Sequence, residues 1–112
     1  MNLIQDTQTT SKIDQQTMDA AQVDGLVVKL KALADPVRLQ ILTHILGQPQ
    51  GEECTCKLAP LVGLSEPTVS HHLKKLEAAG ILTKERRGMS VYYRVDSDVL
   101  HSITEVLRVT CC

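Results

Sequence analysis

Between Leu64 and Val95 the spacing of apolar residues changes period once, and the change predicts a helix followed by a tight β-hairpin. Val69, Leu73 and Leu76 fall on one face of the helix, with Ser65 as its N-cap, Pro67 in the first turn and Gly80 just past its end. Ile81 to Arg87 and Ser90 to Val95 then read as β segments around a turn at Gly88. Upstream, Val23, Leu26, Val27, Leu30 and Leu33 recur at helical spacing from about Thr17 to near Ala34. Asp35-Pro36 caps and opens a second helix through Val37, Leu39, Ile41, Leu42 and Ile45, stopped by Gly47. The segment GQPQGEE reads as a loop. A short third helix from about Cys54 to Val62 tolerates Pro60 poorly, and Gly63 turns the chain into the capped helix. Asp96 to Thr110 carries Leu100, Ile103, Val106 and Leu107 as a last helix, while residues 1–16 are polar, without period, and are expected to form a mobile arm.

Four helices, two strands and a final helix predict a mainly α fold with a small β-hairpin, a winged helix-turn-helix, over one domain spanning residues 17–112. With no Phe, no Trp and only Tyr92 and Tyr93, the core must come from Leu, Val, Ile and Ala, which suits helix packing. Net charge is −1, but residues 65–94 set Lys74, Lys75, Lys84, Arg86, Arg87 and Arg94 against Glu66, Glu77 and Glu85. The positive charge therefore sits on the capped helix and hairpin, as salt-sensitive DNA binding requires. Thr68, Ser70, His71, His72, Lys74 and Lys75 fill the helix arc opposite the apolar face, offering hydrogen bonds and charge to base edges and phosphates. No apolar run approaches the ~20 residues that span a bilayer, and the N-terminus lacks a signal-peptide core, so no membrane partner and a cytoplasmic location are expected.

The segments KALADPVRLQIL, Glu-Cys-Thr-Cys, SEPTVSHHLKKLEAAGIL and RRGMSVYYRV, in this order and spacing, resemble the ArsR/SmtB family of metal-sensing transcriptional repressors, in particular its arsenite-sensing type. The resemblance covers roughly residues 22 to 112. It implies a homodimer whose first and last helices pack across a two-fold axis, bound to double-stranded operator DNA with half-sites roughly 10 to 11 bp apart. It also implies that the segment from Ser65 enters the major groove. Glu66 stands where the family usually has Gln; a carboxylate can accept from cytosine but repels phosphate. Thr68, Ser70 and His71 are the expected base or backbone contacts, with His72 and Lys75 nearer phosphates. Arg86, Arg87 and Gly88 are expected over the minor groove.

The remaining chemistry lies in two cysteine pairs, Cys54 with Cys56 and Cys111 with Cys112. In a cytosolic protein thiols stay reduced, so metal binding is expected over a disulfide framework, and a thiolate set suits soft ions. Residues two apart in a regular helix point about 200° away from each other, so Cys54 and Cys56 reach one ion only where a helix starts or unwinds. Glu53-Cys54-Thr55-Cys56-Lys57-Leu58 resembles the family's Glu-Leu-Cys-Val-Cys-Asp-Leu segment. The third family cysteine is replaced by Ala59, which leaves Cys111 and Cys112 to complete a site, in cis or from the partner subunit, to form their own, or to fray in solvent. A second family site for Zn(II)-like ions is largely lost, since Asp98 replaces its His and Val109 stands in the later pair with Cys112. His101 is expected on a helix surface, and His44 as a satisfied packing histidine.

The expected function is a homodimeric repressor, not an enzyme and without a constitutive cofactor, that releases its operator on binding As(III) or Sb(III). The alternative inducers are Cd(II), Pb(II) and Zn(II), for which four cysteines can give tetrahedral coordination. A further alternative keeps the DNA binding and uses the cysteines as an oxidation sensor. A thiol redox enzyme would normally show Cys-x-x-Cys on a βαβ unit or a cysteine with a positioned base, and neither pattern is present. A bare protein-interaction module gives no reason for the hairpin or the cysteine pairs.

Overall fold

The computed structural model describes residues 19–108, with side chains as far as residue 105. Within them the order is α1 (Ala20–Leu33), α2 (Pro36–Leu46), β1 (Glu52–Cys54), α3 (Thr55–Val62), α4 (Glu66–Ala78), β2 (Leu82–Arg87), β3 (Ser90–Val95) and α5 (Ser97–Arg108). This is the winged helix-turn-helix, with α3 and α4 as the helical pair and β2–β3 as the wing. The arm at residues 1–16, Cys111 and Cys112 lie outside the described residues.

Local chemistry sets each helix start. Asp19 and Gln22 form a reciprocal capping box, at 2.8 and 3.0 Å, that opens α1. The Asp35 carboxylate accepts from the Arg38 N–H at 3.0 Å, with Pro36 in the first position of α2. That bond comes first among the causes that lower the Asp35 carboxyl below its ordinary value, aided by the charges of Arg38 and His72 against some desolvation. Ser65 Oγ accepts from the Thr68 N–H at 3.3 Å to open α4. Gly63 closes α3 at φ 70°, a left-handed conformation that side chains disfavour, and so sets the angle between α3 and α4. The wing turns through Gly88 at φ 64° and Met89, which has no positive φ, the pattern of a type II′ hairpin.

The core joins α2 (Ile41, Leu42, Ile45), α3 (Leu58), α4 (Val69, Leu73, Leu76) and the sheet side (Ile81, Leu82, Tyr93, Val95), closed by Val99 of α5. α1 contributes no buried residue, and Val23, Val27, Val28 and Leu30 along it remain exposed.

One element departs from the sequence reading. Glu52 and Glu53, read as the end of a loop, form β1 with Cys54, and the sheet has three strands in the order β1-β3-β2. β1 runs antiparallel to β3 with Glu52 opposite Arg94, Glu53 opposite Tyr93 and Cys54 opposite Tyr92. Three residues cannot display a period, and the strand exists only through partners far along the chain.

Candidate nucleic-acid interface and thiol site

α4 presents Glu66, Thr68, Ser70, His71, Lys74 and Lys75 to solvent while its apolar face is buried. Glu66 lies in the first helical turn, where a carboxylate also complements the helix dipole. Ser65 Oγ is 2.9 Å from Thr68 Oγ1, so both hydroxyls already serve the cap. Lys74, Lys75 and Arg86 have no ion pair among the described residues, which leaves three cations available on the helix and the wing. Between them an open cleft of about 420 Å³ is lined by Glu66, Ser70 and Lys74 of α4 and by Lys84, Val91 and Tyr93 of the wing. Burial, and secondarily the charge of Glu77, raises the Tyr93 hydroxyl above its ordinary value, so it remains a donor.

Two expected contacts are placed differently. His72 is not on the open arc with His71: its side chain is 16% exposed and lies against the start of α2, with Nδ1 3.2 Å from Arg38 Nη1 and 3.9 Å from Asp35 Oδ2. Arg38 in turn donates from Nε to the Ala32 carbonyl at 2.6 Å, tying the end of α1 to α2 and α4. Arg87 is not a free wing cation either. It donates to both Glu52 oxygens at 2.6 and 2.9 Å and to Glu85 at 2.8 Å, and its guanidinium lies 4.5 Å from the Tyr92 ring centre. Arg94 donates to the same Glu52 carboxylate at 2.7 Å. Hydrogen bonds from Arg87 and then Arg94 hold the Glu52 carboxyl down to about 2, and those from Glu52 and Glu85 hold Arg87 above its ordinary value. The carboxylate just outside the basic window therefore neutralises part of it.

Cys54 and Cys56 meet at the junction of β1 and α3. Cys54 ends the strand in extended geometry (φ −75°, ψ 139°) and is the N-cap of α3, its sulfur 3.2 Å from the Cys56 N–H. The expectation of two free thiols is corrected here: the sulfurs are joined as a disulfide, across Cα atoms 5.2 Å apart, a span that suits such a bond. The extended residue removes the divergence that a regular helix would impose on this spacing. Cys54 is buried and Cys56 exposed, so the pair is reachable from one side. Reduced, it supplies two soft donors; no three His, Cys, Asp or Glu side chains among the described residues gather at one point.

Glu53, buried beside Cys54, accepts from the Cys54 N–H at 2.9 Å and lies 2.8 Å from His44 Nε2. Burial works against its charge most strongly, but His44, the Cys54 N–H and Lys57 outweigh it and lower its carboxyl below the ordinary value. His44 is thus a satisfied histidine, through Glu53. His101 is exposed, 3.6 Å from Glu105 on the next turn. The roles of Glu52 and Glu53 escape a reading by period; the available signal was two acids directly before Cys54 and three arginines in the wing.

Residues 35–84 match the model of a family described as bacterial regulatory protein, arsR family. An arsenic resistance transcriptional regulator of Pseudomonas putida is 37% identical over 81 residues, 72% of this chain and 62% of its own length. A cadmium resistance transcriptional regulatory protein homolog of Staphylococcus aureus is 35% identical, over 81% of this chain and 69% of its own. The chain belongs to the arsR family. It spans less than two thirds of the Pseudomonas regulator. The family match runs from the cap of α2 into β2 and so contains Cys54 and Cys56, whereas Cys111 and Cys112 fall beyond it. Among solved structures, the homodimeric winged helix-turn-helix DNA-binding domain of a possible ArsR-family regulator from Mycobacterium bovis aligns with a TM-score of 0.66 at 33% identity, over 83% of this chain and 86% of that one. No helix among the described residues is long and apolar enough to cross a membrane.

Proposed function

We propose that this arsR-family protein is a transcriptional repressor of the cytoplasm that binds operator DNA as a homodimer and releases it when Cys54 and Cys56, as thiolates, capture As(III) or Sb(III). The observation that carries the reading is the meeting of two sulfurs at the start of α3, the helix that leads through Gly63 directly into α4. Closing both thiolates on one ion constrains the first turn of α3, where Pro60 has no N–H to return to the Cys56 carbonyl, and the helix pair is repositioned.

Ser65, Glu66, Thr68, Ser70, His71 and Lys75 face the major groove in this reading, with Arg86 and Gly88 at the minor groove and His72 at the edge of a phosphate. The exposed apolar side of α1 supports a dimer, because Val23, Val27, Val28 and Leu30 are left exposed by the described residues. Arsenite prefers three thiolates, and Cys111 or Cys112, in cis or from the partner subunit, completes the set. Cadmium, lead or zinc as inducer is the neighbouring reading, supported by the cadmium resistance relative. The joined state of Cys54 and Cys56 favours one further reading, repression governed by oxidation of this pair.

Fluorescence anisotropy of the reduced protein on its own promoter DNA, titrated with arsenite, Cd(II) and Zn(II), tests the proposal. Release by arsenite that is lost in Cys54→Ser and in a Cys111→Ser/Cys112→Ser variant is the expected result. Release by Cd(II) or Zn(II) alone replaces the inducer, reversal by reductant alone brings forward oxidation, and DNA binding indifferent to all of them overturns the sensor reading.

A further inference from the structure

β1 is three residues long, and each of them is bonded to a different part of the machine. Cys54 carries the first sulfur of the thiol pair. Glu53 is joined to His44 of α2. Glu52 grips Arg87 with both carboxylate oxygens and Arg94 with one, and its side chain is only 11% exposed. Arg87 is the last residue of β2 before the wing tip at Gly88 and Met89. It also covers the ring of Tyr92, the residue opposite Cys54 in the sheet. A two-pronged guanidinium–carboxylate pair is directional, so it transmits a displacement that a single contact would absorb. A shift of Cys54 along β1 therefore meets the wing twice, through Tyr92 across the ladder and through Glu52 two residues up the strand.

From this connection we infer that Glu52 is a positioning residue that couples the state of the Cys54–Cys56 pair to the tip of the wing, by a route separate from the one through α3 and Gly63. The inference rests on the proposed thiol sensor. It assigns β1 two tasks: anchoring to α2 through Glu53, and steering the wing through Glu52. The wing tip then differs between the open and closed thiol states, and Arg86, which stands beside Arg87, is presented to DNA differently in each.

The test uses the full chain with Cys111→Ser and Cys112→Ser, so that only one thiol pair remains, first reduced with a phosphine that opens the Cys54–Cys56 disulfide to two thiols and is then removed, and phenylarsine oxide as probe. That reagent joins two thiols through arsenic, forming two As–S bonds and releasing its oxygen with the two thiol protons as water. Backbone amide NMR shifts of Gly88 and Met89 are compared with those of Leu58 and Leu61 in α3, before and after the reagent, in this parent, in Glu52→Gln and in Arg87→Lys. Arg87→Lys keeps the charge and removes the fork, so the comparison survives if Glu52→Gln fails to fold. The expected result is a response at both places in the parent and at α3 alone in each variant that folds. Equal wing responses in parent and variants, or a parent response confined to α3, overturn the coupling. Promoter binding of the reduced chain with all four cysteines, titrated with arsenite, separates the two ideas: a wing response in the two-cysteine parent without release of the four-cysteine chain from DNA removes the sensor reading and retains the coupling.

Discussion

On α4, Lys74 and Lys75 have no ion pair among the described residues, whereas on the wing Arg87 and Arg94 are both held by Glu52 and Lys84 stands 4.0 Å from Glu77. The helix holds its charges ready for an outside partner; the wing uses most of its own to fix its shape. A phosphate meeting Lys75 displaces only water and counterions, while one meeting Arg87 must compete with a two-pronged carboxylate. The helix is accordingly suited to supply affinity, and the wing to supply geometry that can be altered from inside the protein.

The largest effect expected is on the scaffold of the helix. Leu73 is 1% exposed in the core, so Leu73→Ala should cost about 2–5 kcal/mol in denaturant unfolding. Wild-type stability in that variant would mean that α4 is not anchored by its apolar face. Next comes the contrast itself: Lys75→Ala and Arg86→Ala should each weaken DNA binding and lower the salt slope by about 1, whereas Arg87→Ala should leave the slope nearly unchanged. A slope reduced equally by Arg86→Ala and Arg87→Ala would erase the distinction between free and committed arginines.

The smallest effect is an acid one. Glu52 titrates at about 2 in the folded protein against an ordinary 4.5, so its contribution is complete above the ordinary value and is lost as pH falls from 4.5 toward about 2. Protection of the wing amides, taken as their exchange relative to the intrinsic rate at each pH, should fall through that interval in the native protein and show a smaller step in Glu52→Gln. An identical step in both would locate the acid response elsewhere.

The parts of this molecule legible in its sequence are those whose causes are local. Ser65, Gly80 and the Val69, Leu73, Leu76 face define α4 within a few residues of one another, and Gly88 marks the hairpin turn in the same way. β1 escaped because its pairing partners, Tyr92 to Arg94, are remote and three residues carry no alternation. The sequence presents Arg87 as a free wing cation because its partner Glu52 stands 35 residues earlier. His72 was assigned to the open arc by helical spacing, which cannot register that the start of α2 lies over it. The closeness of Cys54 and Cys56 was conditional in the sequence, since it required a helix start, and the strand supplied that condition from outside the motif.

The contact between His72 and Arg38 has a consequence for the imidazole proton. Arginine can only donate, so the 3.2 Å contact at Nδ1 is a hydrogen bond only if that nitrogen accepts, which places the single ring proton on Nε2. In this tautomer Nε2 is the one ring nitrogen left to donate. A backbone oxygen meeting it would gain a hydrogen bond while Nδ1 stays on Arg38, so an outside contact and the joint between α2 and α4 would share one ring through its two different nitrogens.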